Sequence, residues 1–327
     1  MSQNRLAADT WLMLAITVCG LWLRFASLNA LCVEHFDEGV YASTLWYNDD
    51  FGTDYPGRDF YAPPLLPTMI AAGQATLGDH LAPFWFSLLT GTLTIPVIWW
   101  FTRSFFGKAA GLFAATTIAL SDYHIIYSRM AMTDVPALLF TLLAIGLALR
   151  GINSISTRHM AAAGFCCGLA WWTKYTGWLP LAVVGSGSMV WWFWKGRRRI
   201  RFVSLCRLQL TMAATTLITF SPWWMALQDV GGLSAVSQNQ AGYVSGFSVW
   251  TSQLATQLAN QKLLDGRFGH IALLAGMLIA GVWRWKKAAG STWNAACPQS
   301  PRTAGTLPTT PGADPQPTAV EMPPWRV

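Results

Sequence analysis

Two neighbouring stretches decide the fold: WLMLAITVCGLWLRFASL, residues 11–28, and HFDEGVY, residues 35–41. The first is almost wholly apolar and is long enough to cross a bilayer as a helix. The second places two adjacent carboxylates, Asp37 and Glu38, a few residues beyond that crossing. A carboxylate pair at the edge of a membrane is costly to dehydrate and rarely serves packing. The pattern favours an active site at the membrane surface, with a solvated loop as the alternative.

The composition indicates a membrane protein. Of the 327 residues, 53% are hydrophobic and only 11% are charged, whereas a soluble domain carries about 25% charged residues. The formal net charge is +7, and the basic residues gather in short runs between apolar segments. Such runs mark the cytoplasmic side of membrane proteins, so they indicate topology and give little support to nucleic-acid binding. We therefore predict an all-α polytopic membrane protein.

Eight crossings are predicted, with the N-terminus inside. They lie at about 9–28, at about 82–102, in a hairpin between Lys108 and Arg150, in a hairpin between Arg158 and Lys195, at about 208–227 and at about 268–283. On this map 12 of the 15 acidic residues lie on the outer side, together with only six of the 22 basic residues. One orientation satisfies every loop. It places the acidic pair on the extracytoplasmic side of the cell membrane.

The two hairpins are short for two crossings each. Residues 109–149 and 159–194 enclose 41 and 36 positions, and one crossing takes about 20. Helices that end early leave Ser128-Arg129 and Lys174 at the depth of the outer headgroups. That position suits a substrate with a lipid tail and a head of phosphate and sugar. The alternative is a bilayer that thins locally around snorkelling side chains.

The remaining segments complete the predicted organisation. Residues 1–290 form one transmembrane domain, and residues 65–77 form an amphipathic surface helix in its first outer loop. Residues 229–267 are either a lid or a connector. Residues 291–327 are rich in Pro, Thr and Ala, and they are predicted to be disordered because they cannot bury a core.

Four outer elements follow one another along the chain. They are Asp37-Glu38, then Tyr61-Ala62-Pro63-Pro64-Leu65, then Ser128-Arg129 with Thr133-Asp134-Val135-Pro136, and finally Gly168-Leu169 with Lys174-Tyr175. In this order they resemble the polyprenyl-phosphate-sugar-dependent membrane glycosyltransferases. These include the protein O-mannosyltransferases and the lipid A aminoarabinose transferases, which share the C-type glycosyltransferase fold. The resemblance is strongest over residues 10–230, departs at Ala62 where relatives often have His, and lacks the further C-terminal helices of many relatives.

The resemblance implies an integral membrane glycosyltransferase. Such an enzyme passes a hexosyl or pentosyl group, with inversion, from a polyprenyl-phosphate donor to a hydroxyl of a lipid, glycan or protein on the outer face. Two alternatives are a transporter or flippase of a lipid-linked sugar and a catalytically inactive member of the family.

The chemistry of the residues fits this function independently. Asp37 is the best-placed general base for an acceptor hydroxyl. Glu38 is a candidate to hold the acceptor, to orient Asp37 or to bind a divalent cation together with Asp37; no other cofactor is predicted. Arg129 offers phosphate a planar fork of donors, and Lys174 offers a compact charge.

Four further residues have candidate roles in the site. Tyr61 and His124 are candidate substrate ligands, with a satisfied interfacial His as the alternative for His124. Arg24 is a candidate substrate ligand and a candidate partner of the acidic residues. Asp134 is predicted to cap the N-terminus of the fourth spanning helix.

Overall fold

The computed structural model of the chain describes residues 2–43, 61–241 and 249–296. Within these ranges the regular structure consists of α-helices and short 3-10 turns, without β-strands. The all-α prediction is therefore confirmed. The chain divides into two compact units, Met1–Gly269 and His270–Val327, and the site lies in the first. Most of the predicted disordered tail, residues 297–327, lies outside the described residues.

The described residues contain twelve α-helices in chain order. They are α1 (Ser2–Phe25), α2 (Phe36–Ala42), α3 (Leu65–Leu77), α4 (Trp85–Phe106), α5 (Lys108–Leu120), α6 (Asp122–Ser128), α7 (Asp134–Ser154), α8 (Thr157–Thr173), α9 (Leu179–Trp194), α10 (Phe202–Gln228), α11 (Gly232–Gln240) and α12 (Trp250–Ala296). Short 3-10 turns follow α1, α8 and α9, at Leu28–Ala30, Tyr175–Trp178 and Gly196–Arg198.

Three described helices, α4, α7 and α10, are long and apolar enough to cross a membrane. A fourth span results if α5 and α6 count together, since they pass the same test as a pair bent by 60°. Helices α8 and α9 have 17 and 16 residues, which is short of the roughly 20 that a full crossing takes. The prediction of short helices is thus confirmed for the second hairpin, whereas in the first hairpin α7 has 21 residues and is long enough for a full crossing. The count of eight crossings stays a prediction.

Close contact between α8 and α10 organises the middle of the fold. Gly164 and Gly168 lie one helical turn apart on the face of α8 that meets α10. A Cβ atom on Gly164 would lie 1.8 Å from Thr215 Oγ1, and one on Gly168 would lie 2.4 Å from Thr219 Cβ. Small residues allow helix backbones to approach in this way inside membranes, where lipid competes with side-chain burial. Side-chain volume at either glycine would separate the two helices.

Basic residues share one end of the helices, which we call the basic end. Lys108, at the start of α5, lies 2.5 Å from Asp9 in α1. Arg103 and Arg150 stack on Trp99 and Trp100, with guanidinium carbons 4.8 and 4.7 Å from the ring centroids. Because Arg150 lies 16 residues after Asp134, the first residue of α7, the turn before α7 lies about 25 Å away at 1.5 Å per residue. That opposite end carries the candidate site.

The opposite end has its own apolar core beneath the candidate site. Leu66 and Ile70 of α3 are fully buried, and they pack in one cluster with Tyr41, Ala62 and Ala131. The predicted helix over 65–77 is therefore confirmed, and one of its apolar faces packs against protein. Ala62 contributes a buried methyl group to this core. The cluster fixes α2 and α3 against the turn that precedes α7.

Candidate active site

Glu38 of the acidic pair bonds only to backbone groups in the described structure. His35 is the N-cap of α2, and Glu38 completes a capping box: its Oε2 accepts hydrogen bonds from the backbone N–H groups of Glu34 (3.2 Å) and His35 (3.1 Å). Its Oε1 accepts a 2.8 Å hydrogen bond from the backbone N–H of Ala131, 93 residues later. Glu38 is 1% exposed. Its carboxylate therefore joins α2 to the turn before α7.

Asp37, the neighbour of Glu38, is open to solvent. Its side chain is 37% exposed, because successive residues of a helix point about 100° apart. Oδ1 accepts a hydrogen bond from the Tyr61 hydroxyl. Oδ2 lies 3.8 Å from His35 Nδ1, but that nitrogen already accepts the Asp37 N–H, so the approach is not an ion pair. One oxygen of Asp37 is thus held in place, and the other is available to a ligand.

Two tyrosines connect Asp37 to the start of α7. The rings of Tyr41 and Tyr61 meet edge to face, with centroids 5.7 Å apart. Tyr41 is 5% exposed, and its hydroxyl hydrogen-bonds to the side chain of Thr133. Burial raises the pKa of the Tyr41 hydroxyl, so this residue stays a neutral hydrogen-bonding group. Tyr41 is therefore a buried residue that joins α2 to the turn before α7.

Lys174 forms an ion pair with Asp134. The distance from Lys174 Nζ to Asp134 Oδ1 is 2.7 Å, and both side chains are about two-fifths exposed. Asp134 is the first residue of α7 and stands in its first turn, where a negative charge is favourable. The prediction that Asp134 caps this helix is wrong, because the N-cap residue is Thr133 and Asp134 is the first residue inside the helix. An ion pair this exposed is worth only about 0–1 kcal/mol, so an incoming anion can take over the Lys174 charge.

Arg129, at the end of α6, binds the C-terminal end of α1. Its Nη1 donates to the carbonyl oxygens of Arg24 (2.8 Å) and Ala26 (2.6 Å). Its Nη2 lies 3.5 Å from the Ser27 carbonyl, at the outer limit of a hydrogen bond. A guanidinium has five donors in a planar fork, and Nη1 supplies only two of them. Arg129 therefore anchors α6 to α1 and retains donors for a ligand.

Arg24 is fully buried among carbonyl groups. Its Nη1 donates to the carbonyl of Gly20 (2.8 Å), and its Nη2 donates to that of Ile118 (2.9 Å). The end of α5 is a favourable place for a cation, because the last carbonyls of a helix lack partners within it. The predicted pairing of Arg24 with acidic residues does not occur among the described residues, where no carboxylate lies within ion-pair distance of it. Arg24 holds α1 and α5 together at the bend.

His124 is the side-chain partner of Arg24. Arg24 Nη2 lies 2.8 Å from His124 Nδ1, which makes Nδ1 the acceptor and leaves the ring proton on Nε2. Nε2 is buried without a partner among the described residues. His124 itself is 6% exposed. The structure thus places the predicted ligands Arg24 and His124 together and buried inside the bend, whereas the side chains of Asp37 and Lys174 are partly exposed.

The predicted site residues therefore form two connected groups. Asp37, Tyr61 and Lys174 lie at the surface with Asp134, while Arg24 and His124 are buried. Arg129 and the turn 129–133 belong to both groups. The hydrogen bond from the backbone N–H of Ala131 to Glu38 joins the turn 129–133 to α2. Nothing in the sequence indicated this contact, because the donor is a backbone group that every residue type except proline carries.

The described residues contain no group of three or more His, Cys, Asp or Glu side chains arranged to hold a metal ion. Both oxygens of Glu38 accept backbone hydrogen bonds. The predicted cation site on Asp37 and Glu38 stays a prediction.

Comparison with known proteins agrees with the arrangement of the site. Residues 61–225, half of the chain, match the family described as dolichyl-phosphate-mannose-protein mannosyltransferase. The structure is similar to ArnT from Cupriavidus metallidurans, which was crystallised bound to undecaprenyl phosphate: the TM-score is 0.53 and the sequence identity is 19%. The similarity covers 68% of this chain and 42% of the ArnT chain, so this chain spans about two-fifths of that length. No curated protein matches the sequence.

Proposed function

Because this chain belongs to the dolichyl-phosphate-mannose-protein mannosyltransferase family, we propose that it is an integral membrane glycosyltransferase. It takes a hexosyl or pentosyl group from a polyprenyl-phosphate donor and passes it to a hydroxyl of a lipid, glycan or protein. The fold shared with an ArnT bound to undecaprenyl phosphate supports a lipid-phosphate donor.

One observation carries the proposal: a partly exposed carboxylate, Asp37, and the ion pair of Lys174 with Asp134 lie at the same end of the helices, where both acidic residues are close enough to act electrostatically on Tyr41. Asp37 is 37% exposed and held by Tyr61. Lys174 is 42% exposed. The hydrogen bonds of Tyr41 to Thr133 and of Glu38 to Ala131 keep the elements that carry them in contact. A base and a phosphate ligand in one open cluster are what sugar transfer from a lipid phosphate requires.

The transfer is a single displacement at the anomeric carbon. Asp37 accepts the proton of the acceptor hydroxyl as its oxygen forms the new glycosidic bond. The bond between the anomeric carbon and the phosphate oxygen breaks with its electron pair staying on the phosphate. The polyprenyl phosphate leaves, and Asp37 later releases its proton to solvent. The Tyr61 hydroxyl donates a hydrogen bond to Oδ1 of Asp37 and so orients the carboxylate.

The leaving phosphate gains charge during this step, and cations stabilise it. Lys174 exchanges its half-exposed partner Asp134 for the phosphate. Arg129 adds the donors that are not used on the α1 carbonyls, and charge-assisted hydrogen bonds to phosphate are the stronger kind. Asp37 thus acts on the acceptor side, and Lys174 with Arg129 acts on the donor side.

The site faces the extracytoplasmic side of the cell membrane in this proposal. The opposite end of the helices is the basic end, which carries Arg103, Lys108 and Arg150. Such an excess marks the cytoplasmic side. A polyprenyl phosphate with its tail in the bilayer then presents its sugar at the outer headgroups.

Exchange of Asp37 for Asn tests the function. Mass spectrometry of glycans and glycolipids, with and without the protein, first identifies the product; incorporation of that labelled sugar in liposomes is then compared. Asp37→Asn keeps the size of the side chain and removes its basicity, so transfer falls by about 100- to 10,000-fold. Asp79→Asn, an exposed acidic residue at the same end, serves as the matched control and keeps wild-type transfer.

Other outcomes identify the alternatives. Equal transfer by the wild type and Asp37→Asn removes Asp37 from catalysis. Movement of lipid-linked sugar across the bilayer without any new glycosidic bond identifies a transporter. Absence of both activities identifies an inactive member of the family.

A further inference from the structure

A break in α12 brings a carboxylate to the site from outside residues 61–225. The helix is interrupted at Gly266, whose φ of 67° and ψ of −171° lie outside the helical range and in a region that is essentially restricted to glycine. Asp265, the preceding residue, directs its side chain to the junction of α5 and α6. Its Oδ1 accepts a 2.8 Å hydrogen bond from Ser121 Oγ and another of 2.8 Å from the backbone N–H of Tyr123.

These contacts complete the first turn of α6. The helix has seven residues and follows a 60° bend, so it is too short to be stable by itself. Its first N–H groups have no partners within the helix. Asp265 accepts the one from Tyr123, and Ser121 Oγ accepts the one from His124 (3.1 Å) while donating to Asp265. Asp265 thus completes the cap directly and through Ser121.

The other end of α6 is anchored by Arg129. Its guanidinium holds the carbonyls of Arg24 and Ala26 at the end of α1. Helix α6 is therefore fixed at its start by Asp265 and at its finish by Arg129. His124 projects from between these two anchors. The direction of the Arg129 guanidinium consequently depends on how the first turn is held.

We propose that Asp265 is a positioning residue that clamps α6 so that Arg129 meets the donor phosphate; the part that concerns the donor rests on the proposed function. The first half of α12 is held by this polar contact more than by apolar burial, since Trp250, Leu254 and Leu263 are 61%, 46% and 81% exposed. Gln261 supports the clamp with a 2.9 Å hydrogen bond to Asp265 Oδ2. Helix α12 thereby contributes to the site through Asp265, which holds the first turn of α6.

Binding of undecaprenyl phosphate to the full chain tests the clamp. Asp265→Ala raises the Kd by about tenfold, the factor that corresponds to 1.4 kcal/mol, and leaves the rate of transfer at saturating donor unchanged. Asp265→Asn, which keeps an acceptor oxygen, recovers part of the loss. Asp229→Asn, an exposed acidic residue at the end of α10, binds as the wild type does.

A double variant separates positioning from a direct contact. If Asp265 acts through Arg129, then Arg129→Ala/Asp265→Ala binds no more weakly than Arg129→Ala alone. Losses that multiply in the double variant overturn the proposal, because they show that the two residues act independently. An unchanged Kd in Asp265→Ala overturns it as well.

A disulfide tests the clamp without reference to activity. Ser121→Cys/Asp265→Cys, in a full-length chain otherwise free of Cys, forms a disulfide and regains donor affinity when oxidised. Ser121→Cys/Ser154→Cys is the control, because Ser154 ends α7 at the basic end, and it forms none. If the wild type does not bind undecaprenyl phosphate, the proposed function fails, and formation of the first disulfide still supports the clamp. Failure of that disulfide to form overturns the clamp itself.

Discussion

Replacement of Glu38 distinguishes a structural carboxylate from a catalytic one. In Glu38→Ala the backbone N–H of Ala131 loses its acceptor, and Ala131 is fully buried. A buried donor without a partner costs about 1–3 kcal/mol. The N–H groups of Glu34 and His35 are only partly buried, so water replaces most of that interaction. Loss of a favourable charge in the first turn of α2 adds about 0.3–1 kcal/mol.

The expected destabilisation by Glu38→Ala is therefore about 1.5–4 kcal/mol in the free energy of unfolding. Glu38→Gln destabilises the protein less, because its amide oxygen can still accept the hydrogen bond from Ala131. It does not reach wild-type stability, since its NH2 group faces the two N–H donors of Glu34 and His35. Unfolding of the purified protein in mixed micelles, followed by Trp fluorescence, measures both. Glu34→Gln is the matched control, since that exposed carboxylate accepts only the Cys32 thiol among the described contacts.

Transfer activity supplies the second measurement for the same variants. If Glu38 only positions Asp37, the loss of sugar transfer in each Glu38 variant follows its loss in free energy of unfolding. Glu38→Gln then retains more transfer and more stability than Glu38→Ala. The reasoning is refuted if Glu38→Gln unfolds like the wild type and yet loses transfer as completely as Asp37→Asn. That result would place Glu38 on the substrate or on a required metal ion.

Two further predictions concern the donor site and the topology. Lys174→Ala leaves the free energy of unfolding within about 1 kcal/mol of the wild type, because only an exposed ion pair is lost. Its Kd for undecaprenyl phosphate rises about 10- to 150-fold, which is the effect of losing one charge-assisted contact. An unchanged Kd removes Lys174 from the phosphate site. Single Cys residues at 79 and 198, in a Cys-free chain, report the orientation: an impermeant thiol reagent labels position 79 in intact cells and spares position 198, and the reverse pattern overturns the outer placement of the site.

The sequence predicted the helices well where apolar runs meet polar turns. Residues 65–77 coincide with α3, and the early helix ends in the two hairpins correspond to the turns 129–133 and 174–178. The bounds of a helix can be predicted in this way because apolar periodicity and turn residues lie within the segment itself. The number of crossings stays a prediction, because α8 and α9 have 17 and 16 residues and a full crossing takes roughly 20.

The roles within the site depended on contacts that the sequence does not display. Asp37 and Glu38 are adjacent and chemically alike, yet one is exposed and the other is 1% exposed. Only the fold decides which of the two faces Ala131. Arg24 was expected to pair with acidic residues, whereas it binds the carbonyls that the bend in α5–α6 leaves free. Asp265 lies more than 140 residues from Ser121 and Tyr123, and no pattern in the sequence connects it to them.

The bond between Glu38 and Ala131 also has a consequence for biosynthesis. When α1 and α2 leave the ribosome, the acceptor carboxylate exists and its donor does not, because 93 residues separate them. An ionised carboxylate does not enter hydrocarbon alone, so α2 must wait in the headgroup region until the start of α7 has been inserted. Assembly of this end of the molecule is then a late event: in a nascent chain released before residue 131, Oε2 of Glu38 can still bond within the capping box, whereas Oε1 lacks the backbone donor that it has in the folded protein.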